Sequence, residues 1–512
     1  MEKCKIEKCQ LPPIREGKCV LHCKKYSYSN DFKEASFLLS FYHELLNYMV
    51  EQIHTDGIRI KEFKLTKETI KNYLSGDPKL STFNKAQIPK NIIFDKIAFP
   101  SRKGRDYFDY FILLKKIKSA HFDSCSFQLS EIDIPSLEVF FQDCCFKTYW
   151  AVYSHKILNN VDNTLYQDCI FEGDVSFHYE NLVDDKNIYS LFTDCNFKKK
   201  IEISSTVINN QIFNNTTKIE LELGELNIIN SSINKKFVLN NSKLEKLNIE
   251  NVTFNSKFEF KENTVNTFNI FNTNFHKIFD AYKSAFGTYT SEKCIFYDFS
   301  GFELCNFSFS NKKLSTFKYV TFLSFVNCRN AIFQGGLDLE NTNLKESINF
   351  LKAEIKSDNT NRETYRIIKN SFDQVGNNIE ANKYFALEMR QYKKELINQK
   401  ASQEKFIFWL NEKISNFGMS YIRPIFLIFI FAFIYQLIII GYENNYLYTI
   451  CPKYNGQISY VSDFFNAIAS NIIPFGRFLS KGLEFVSLIF YIIFASLIWQ
   501  AVVSIKKHTR SN

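Results

Sequence analysis

Motifs of the common enzyme classes are missing from this chain of 512 residues. It contains no P-loop, no G-x-G-x-x-G fingerprint, no H-E-x-x-H pair and no nucleophile elbow. Glycine is scarce, with 16 residues, whereas phenylalanine is abundant, with 54. We therefore expect the chain not to be an enzyme.

Long runs of lysine and arginine are missing too. The formal net charge of +9 is mild for this length and no base-stacking motif accompanies it, so we infer no nucleic-acid binding. No N-terminal signal sequence is recognised, and 13 cysteines in so long a chain are not the dense framework of a small secreted protein. We expect the thiols to be mostly reduced.

Two long apolar runs near the C-terminus carry no charged residue. They extend from Pro424 to Tyr442 and from Phe485 to Val503, and each has 19 residues. A helix that rises about 1.5 Å per residue reaches roughly 28 Å over this length, close to the hydrocarbon thickness of a lipid bilayer. We predict two transmembrane helices. The alternative is a pair of buried core helices, which would normally keep a polar stripe.

Basic residues lie on the outer sides of the two runs, whereas the charges between the runs cancel. The flanking basic residues are Lys405, Lys413 and Arg423 before the first run, and Lys506, Lys507 and Arg510 after the second. Because cytoplasmic flanks carry an excess of lysine and arginine, we expect both termini in the cytoplasm.

A shorter helical pattern lies between the runs. Residues 463–473 read DFFNAIASNII, and Pro474 would end the helix. At about ten residues the helix cannot span, so it is either re-entrant or lies on the outer surface, and the sequence leaves both open. The order span, half-helix, bend, span is the layout of pore-loop channels. The candidate pore residues are the bend residues Asn471, Pro474 and Gly476 and the polar span residues Gln436 and Gln500.

Cysteine and histidine cluster at the other end of the chain, in residues 1–25. The sequence MEKCKIEKCQLPPIREGKCVLHC places two close ligand pairs on either side of a Pro-Pro turn. Such pairs are typical of structural zinc sites, in which four protein ligands leave no open position for catalysis. The predicted zinc ligands are Cys4, Cys9, Cys19 and His22, with Cys23 as an alternate for His22. The other interpretation is a set of free cytosolic thiols.

Residues 26–118 are interpreted as a mixed helical cap region. Phe32–Ile53 has apolar residues three and four positions apart, which predicts an amphipathic helix. We expect its apolar face to pack on the first turn of the domain that follows. A short helix is predicted at Lys67–Leu74, and the rest of residues 54–118 is not assigned.

Residues 119–352 contain a degenerate repeat. The hexapeptides FDSCSF, FQDCCF, YQDCIF and FTDCNF end at Phe127, Phe146, Phe171 and Phe197. Apolar residues then recur every 21 positions, at Ile212, Ile233, Phe254, Phe275 and Phe296. Repeats of this length favour a solenoid, in which each coil buries its apolar residues only by stacking on its neighbours.

The small residues of the repeat also have expected positions. Asparagine and aspartate tolerate tight corners, and cysteine behaves as a small apolar side chain. We expect the cysteines to fill internal ladders rather than to bind a metal; they are Cys125, Cys145, Cys169, Cys195, Cys294, Cys305 and Cys328.

Helical periodicity returns after the repeat. Residues 359–400 predict a hairpin of two helices interrupted by the sequence GNN, similar to a single TPR-like unit. Residues 401–423 predict an interfacial linker helix, with Trp409 and Tyr421 at the level of the lipid headgroups. Residues 424–505 then contain the transmembrane pair and, if the half-helix is re-entrant, a pore loop between the two spans.

The repeat and its flanks resemble known proteins. NTNLKES at 341–347 and NCRNAIF at 327–333 approach the A(D/N)Lxx unit of the pentapeptide-repeat β-helix, with alanine mostly replaced by cysteine, threonine or serine and leucine by phenylalanine. Residues 359–505 resemble the C-terminal region of bacterial pentapeptide-repeat membrane proteins through ETYRIIKNSFDQVGNNIEANKYFALEM, ISNFGMSYIRP and NIIPFGRF. The segment CKIEKCQLPP…CVLHC resembles the Cys/His start of some of them.

The resemblance implies a fold and a location. The fold would be a mainly β solenoid, a right-handed β-helix, with an N-terminal zinc-finger-like segment, a helical hairpin and a C-terminal transmembrane pair. The location would be the bacterial inner (plasma) membrane, and some relatives carry an ion-channel-like module of two spans. A potassium filter of the TVGYG type is absent, and the single glycine of NIIPFG argues against potassium selectivity.

Two functions follow from these features. The first is an integral membrane protein with a cytosolic β-helix sensor or binding domain on a weakly cation-favouring pore. Because two spans cannot enclose a water path, such a pore requires a homo-oligomer. The alternative is a membrane-anchored scaffold without pore activity, which binds a cytosolic protein partner on its solenoid.

Overall fold

The structure is a computed structural model that divides into two compact units, Met1–Asn359 and Thr360–Asn512. Each unit is described by itself. The residues that the structure describes are 3–7, 9–25, 35–55, 59–60, 63–64, 66–75, 88–101, 109–153, 155–158, 160, 163–177, 190–215, 220–309, 313–356, 359–397, 402–444, 460–466 and 479–509.

The first unit is a β-solenoid of about ten turns, as the repeat predicts. In the part of the unit that the structure describes, the parallel strands form four stacks. The first stack is Ile88–Asp95, Ile117–Asp123, Glu138–Gln142, Lys156–Ile157, Thr164–Gln167, Ser190–Thr193 and Gln211–Asn214. The second is Ala98–Phe99, Ser126–Phe127, Cys145–Phe146, Trp150–Val152, Ile170–Phe171, Val175–Phe177, Asn196–Ser204, Leu221–Ile229, Ser242–Glu250, Thr264–Phe271, Ala285–Glu292, Asn306–Phe307, Ser315–Lys318, Ile332–Phe333, Leu337–Asp338 and Glu354–Ile355.

Two further stacks complete the coils. The third is Val207–Ile208, Ser232–Ile233, Thr253–Phe254, Asn274–Phe275, Ile295–Phe296, Thr321–Phe322 and Asn343–Leu344. The fourth is Phe237–Val238, Phe258–Glu259, Phe279–Asp280, Ser300–Gly301 and Val326–Asn327. A separate antiparallel pair, Arg59–Ile60 with Phe63–Lys64, lies outside these stacks.

Aromatic rings stack between neighbouring coils inside the solenoid. Phe254 pairs with Phe275 across two parallel strands, and their ring centroids are 5.0 Å apart with an angle of 1° between the planes. Phe296 continues the stack at 4.8 Å from Phe275. All three side chains are buried. The predicted period of 21 residues and the inward direction of these residues are therefore confirmed.

Aspartate and asparagine occupy the corners, as predicted. Asp143, Asp168 and Asp194 have φ values of 51°, 53° and 52°, in the left-handed region that these residues adopt more readily than most. Asn251 and Asn272 do the same in later coils, and the Asn272 amide donates to the Asn251 side-chain oxygen at 2.8 Å. The corner side chains thus form their own ladder on the surface.

The cysteine ladder is confirmed except at one position. Three Sγ atoms donate to carbonyls of the preceding coil: Cys125 to Phe94 at 3.1 Å, Cys169 to Phe141 at 3.5 Å and Cys195 to Tyr166 at 3.4 Å. Cys294, Cys305 and Cys328 are buried as well.

The prediction for Cys145 was wrong, because Cys144 takes the internal position of that coil. The Sγ atom of Cys144 is buried and donates to the Phe122 carbonyl at 3.3 Å. Cys145 instead pairs with Ser126 of the preceding coil and is half-buried beside Glu172. FQDCCF has two adjacent cysteines, and alignment with the other three hexapeptides, which have cysteine at the fourth position, identifies the first as the internal residue.

The parallel ladder begins at Ile88, within the range 26–118 that the sequence analysis interprets as a mixed helical cap region and leaves largely unassigned after residue 54. Its first coil contains FDKIAF at 94–99, in which Ile97 stands where the next hexapeptides have cysteine. This substitution hides the repeat in the sequence. The side chain of Ile97 is buried, so the position keeps its internal role.

A helix covers the edge of this first coil. Helix α1, Ala35–Thr55, packs Phe41 against Phe99 and Tyr110, with ring centroids 6.2 and 5.4 Å apart. The Tyr48 hydroxyl donates to the Ile93 carbonyl at 2.9 Å, and the Ile93 N–H donates to Gln52 at 3.0 Å. These side chains satisfy backbone groups that an edge strand would otherwise leave unpaired.

Two shorter helices accompany α1 among the described residues of the first unit. They are α2, Lys67–Ser75, and α3, Phe111–Leu114. The predicted cap helix and the predicted helix at 67–74 are present in the described residues, whereas the predicted start of the cap helix at 32–34 lies outside them.

The second unit is helical. Its helices are α4, Arg362–Gln374; α5, Asn378–Ile397; α6, Ser402–Ser415; α7, Ile422–Glu443; and α8, Glu484–Thr509. Residues 460–466 are also helical. In the hairpin, the Asn361 side chain caps α4 by accepting from the Thr364 N–H at 2.8 Å. Phe372 of α4 stacks on Tyr384 of α5, with ring centroids 5.6 Å apart.

The stack of rings predicts how the solenoid responds to substitution. Phe254→Ala should lower the free energy of unfolding by about 3–5 kcal/mol, because it leaves a cavity between two coils. Phe254→Asp should lower it further, since the carboxylate would be buried. Phe271→Ala is the control, because Phe271 is 36% exposed; we expect less than about 1 kcal/mol there. Thermal unfolding of the full chain in detergent measures the difference. Equal melting of Phe254→Asp and wild type would contradict the assigned register.

Candidate metal centre and membrane helices

Short backbone turns bring the four predicted zinc ligands together. The N–H of Cys4 donates to the Leu11 carbonyl at 3.0 Å, which folds the first segment back on itself. A tight turn follows at Glu16 and Gly17, where both φ values are positive, 51° and 73°. Glycine adopts the second of these without steric cost. After the turn, one helical turn brings His22 close to Cys19, since the His22 N–H donates to the Cys19 carbonyl at 3.1 Å.

The four ligand atoms lie within 4.8 Å of one another. Zn–S bonds of about 2.3 Å and Zn–N bonds of about 2.0–2.1 Å require S···S edges of about 3.8 Å and S···N edges of about 3.5 Å in a tetrahedron. The Sγ atoms of Cys9 and Cys19 are 3.7 Å apart. The His22 Nδ1 atom lies 3.6 Å from the Cys4 Sγ and 3.2 Å from the Cys19 Sγ. The residues therefore fit a tetrahedral metal ion, with His22 bound through Nδ1.

The protonation properties of the cluster also suit a cation. Burial raises the pKa of Cys19 to about 12, so without a cation this thiol keeps its proton. Burial raises the pKa of Cys4 as well, but hydrogen bonds from the Ile6 and Cys19 backbone outweigh it and lower the value. Burial lowers the pKa of His22, and Lys25 lowers it further. Neutral histidine is the form that binds metals.

Cys23 does not join the cluster. Its side chain is buried, and its Sγ atom donates to the Val20 carbonyl at 3.8 Å. Of the two residues considered for the fourth ligand, His22 is the one that the fold brings to the other three.

A buried lysine, which sequence reasoning missed, holds the turn that carries His22. The Lys25 ammonium donates to the carbonyls of Val20, Leu21 and Cys23 at 2.6, 3.1 and 3.1 Å, and it lies 5.0 Å from the centre of the Phe41 ring. These contacts connect the cluster to helix α1. A lysine three residues beyond a ligand gives no signal in the sequence, because most lysines are exposed.

The cluster is also joined to the first coils of the solenoid. The Ala98 N–H donates to the Leu21 carbonyl at 2.9 Å, which continues the backbone pairing of the second stack onto the cluster. Gln128 of the next coil donates to the Lys25 carbonyl at 2.8 Å. A metal ion in the cluster would therefore stabilise the N-terminal end of the solenoid.

Two helices of the second unit are long and apolar enough to cross a membrane. They are α7, with 22 residues, and α8, with 26, and they contain the two apolar runs. At about 1.5 Å per residue even the shorter is about 33 Å long. None of the most apolar window of α7 is buried. Phe426, Phe429 and Phe433 on this helix are 63%, 69% and 67% exposed.

The two helices pack through an aromatic and polar contact. The Tyr435 hydroxyl of α7 donates to the Ser487 hydroxyl of α8 at 2.8 Å, and Tyr435 stacks on Phe490 with ring centroids 4.8 Å apart. Sequence reasoning missed this pair, although two polar groups within apolar runs were a signal. Gly482, just before α8, has a φ of 83°, and a Cβ atom there would lie 2.1 Å from the Tyr442 hydroxyl.

The two predicted glutamines differ in their surroundings. Gln500 of α8 is half-buried; it accepts from the Ser415 hydroxyl at 3.0 Å and donates to the Asn411 side chain at 3.1 Å. It thus joins α8 to α6 within one chain. Gln436 is exposed on α7.

The predicted pore bend is not described. Asn471, Pro474 and Gly476 lie outside the described residues. Of the predicted half-helix only residues 463–466 are described, and they are helical. Asn466 is buried and accepts from the Phe485 N–H at 2.7 Å, so it caps the start of α8.

Comparison with protein-family models, curated proteins and solved structures finds no match to this chain. The resemblance to bacterial pentapeptide-repeat membrane proteins therefore stays a prediction. The observed architecture is a β-solenoid with an N-terminal Cys/His cluster and two long apolar C-terminal helices.

The cluster predicts bound metal. The full chain purified from zinc-containing medium should carry about one zinc ion, and Cys19→Ser should reduce it below a tenth, because a structural site needs all four ligands. Cys23→Ser is the matched control and should keep its zinc. Loss of metal should speed amide exchange at Ala98, but not in the coils of Phe254 and Phe275, since each coil contacts only its neighbours. Full zinc content in Cys19→Ser, measured by elemental analysis, would contradict the assignment.

Proposed function

We propose that this chain is an integral membrane protein that presents its β-solenoid to the cytosol as a binding domain for a protein partner. The observation that carries the proposal is the pair α7 and α8, whose apolar side chains are widely exposed although the helices pack on each other. A lipid bilayer would cover these faces. The proposed location is the bacterial inner membrane with both termini cytoplasmic, and the proposal includes no catalytic step.

The surface of the solenoid supports a binding role. Aromatic and apolar side chains are exposed side by side in neighbouring coils: Tyr297 and Phe325 are 40% and 37% exposed, and Ile278 is 36% exposed. The Tyr297 ring stacks on His276 at 4.5 Å, and the Phe299 ring stacks on Phe325 at 6.2 Å. Contiguous exposed apolar patches mark interaction sites, and aromatic residues often dominate their energetics.

In the same proposal, the metal is a structural zinc ion. It would hold the N-terminal cap in place through the Leu21 and Lys25 contacts rather than take part in binding a partner. Structural zinc sites use all four positions for protein ligands. Cys4, Cys9, Cys19 and His22 would fill them.

A second candidate function is an oligomeric pore, and Gln436 favours it. A polar side chain within a span normally faces protein or water rather than lipid. Gln436 is exposed on α7. A second copy of the chain would give its amide a partner. Several copies could assemble into a ring whose axis is lined by the bend at Asn471, Pro474 and Gly476. Such a ring would form the weakly cation-favouring pore that the sequence suggests. Among the described residues, the binding module has more support, because the contacts of Gln500 are made within the chain.

The proposed topology predicts a labelling pattern. Lys481→Cys, just before α8, should react with a membrane-impermeant thiol reagent in right-side-out spheroplasts. Thr509→Cys, at the other end of α8, should react only after permeabilisation. Both positions are exposed in the structure, so burial does not limit the reaction. The reverse pattern would overturn the orientation, and recovery of the chain in the soluble fraction would overturn membrane insertion.

The role of Gln436 predicts an effect on self-association. Gln436→Leu should shift the detergent-solubilised protein towards the monomer by about threefold, because an interhelical hydrogen bond in a membrane contributes about 0.6 kcal/mol. Ile434→Leu, also on an exposed position of α7, is the control and should not change the mass distribution. Analytical ultracentrifugation makes the measurement. A wild-type monomer at all concentrations, with no current in planar bilayers, would exclude the pore.

A further inference from the structure

A groove of about 240 Å³ lies among helices α4, α5 and α8. It is lined by Lys369, Asp373, Ala381, Asn382, Phe385 and Lys507. Neither the metal centre nor the contact between the two long helices involves these residues. All of them belong to the second unit, and the groove is open to solvent.

Two ammonium groups converge at one ring in this groove. The Nζ atom of Lys507 lies 4.4 Å from the centre of the Phe385 ring, and that of Lys369 lies 5.7 Å from the same point. Lys369 has a distant carboxylate partner, since its Nζ atom is 3.9 Å from the Glu388 Oε2 atom. Helices α4 and α8 thus each bring one positive charge to the groove, and α5 supplies the ring between them.

Lys507 is a half-buried cation without a carboxylate partner in the part of the chain that the structure describes. Its Nζ atom donates to the Phe417 carbonyl at 3.0 Å, and the Asn382 amide donates to the Lys507 carbonyl at 2.9 Å. The first bond holds the side chain beside the groove, the second holds its backbone, and the ammonium keeps protons for another acceptor. A partly desolvated charge favours an opposite charge nearby, so the groove is suited to an anion.

The charge of the lining limits which anion fits. Two lysines and the single carboxylate of Asp373 give the lining residues a net charge of about +1 at neutral pH. The Glu388 carboxylate, 3.9 Å from the Lys369 Nζ atom, lies outside the lining and offsets part of the Lys369 charge, which leaves Lys507 as the main cation. Asp373 is exposed at the rim and would repel a second negative charge. A phosphodiester has one negative charge, whereas a phosphate monoester has about 1.5 to 2 at neutral pH. The phosphodiester is therefore the better match.

We propose that this groove binds the phosphodiester of an anionic phospholipid headgroup, with Lys507 and Lys369 as its cationic contacts. The lipid source rests on the proposed membrane insertion of α8. Lys507 comes four residues after Val503, the last residue of the apolar run. When the run spans a bilayer, Lys507 lies at the level of the headgroups, where basic pockets hold anionic lipids.

The test measures binding to the full chain in detergent by native mass spectrometry. The probes are phosphatidylglycerol, its water-soluble dihexanoyl form, phosphatidylcholine and inorganic phosphate. We expect one tightly retained phosphatidylglycerol per chain. Lys507→Gln should weaken its binding about tenfold, and Lys369→Gln should weaken it less, because each loses a charge-assisted hydrogen bond.

Two further variants separate the groove from general charge attraction. Lys506→Gln removes the neighbouring lysine, which is exposed and does not line the groove, and it should bind like wild type. Asp373→Asn should bind about threefold more tightly, because a repelling charge is removed. Lys507→Gln could lose binding simply because the loop at Phe417 unfolds. A damaged fold would not bind the lipid more tightly, so the increased affinity of Asp373→Asn tests the groove independently of that effect.

The remaining outcomes overturn parts of the proposal. Equal losses in Lys506→Gln and Lys507→Gln, or equal binding of phosphatidylcholine, would overturn the groove as a specific site. Preference for inorganic phosphate would overturn the lipid source. The chain could fail the labelling test for insertion and still bind the dihexanoyl lipid in a way that depends on Lys507. That result would support the groove and reject the membrane topology. Correct insertion with no effect of Lys507→Gln or Asp373→Asn would reject the groove alone.

Discussion

The stacking of one coil on the next is the interaction on which the first unit depends. Neighbouring strands such as Ser242–Glu250 and Thr264–Phe271 pair residue for residue over almost their whole length. The same register brings Phe254 over Phe275 with nearly parallel rings. No coil can bury its own phenyl rings, so apolar burial and backbone pairing are gained only when two coils meet. In this register one residue at each bend adopts the left-handed backbone conformation, and aspartate or asparagine often occupies that position.

Such a stack has ends, and the N-terminal end is closed in two ways. Tyr48 and Gln52 of α1 pair with the backbone of Ile93, and Leu21 pairs with Ala98. The Cys/His cluster holds the segment that carries Leu21, and the Lys25 ammonium ties that segment to Phe41. A metal ion would therefore act on stability at the end of the stack, where an unpaired strand edge would otherwise invite pairing with another chain.

Sequence reasoning succeeded where a pattern is periodic. Phe254 and Phe275 could be assigned to the interior because a spacing of 21 residues repeats several times. It failed where one substitution breaks the pattern, as at Ile97, or where two equivalent residues adjoin, as at Cys144 and Cys145. Hydropathy identified α7 and α8, because length and apolarity are properties of the segment alone.

The candidate sites divide in the same way. The ligand spacing of Cys4, Cys9 and Cys19 predicted a cluster, but the choice between His22 and Cys23 depends on which side of one helical turn faces the other ligands. The partners of Gln500 lie 85 and 89 residues away, at Ser415 and Asn411. Contacts over such distances depend on tertiary packing, which no local pattern encodes.

The constant length of the central coils also bears on how such a chain could change by duplication and deletion. From Phe254 to Phe296, each coil offers the next the same kind of ring at the same place. Deletion or duplication of one whole coil would join coil surfaces that are already complementary. The solenoid could therefore shorten or lengthen while its ends stay the same. An insertion of a single residue in a strand would instead turn the following side chains to the opposite face. Inherited variation in this region should therefore come in steps of about one coil.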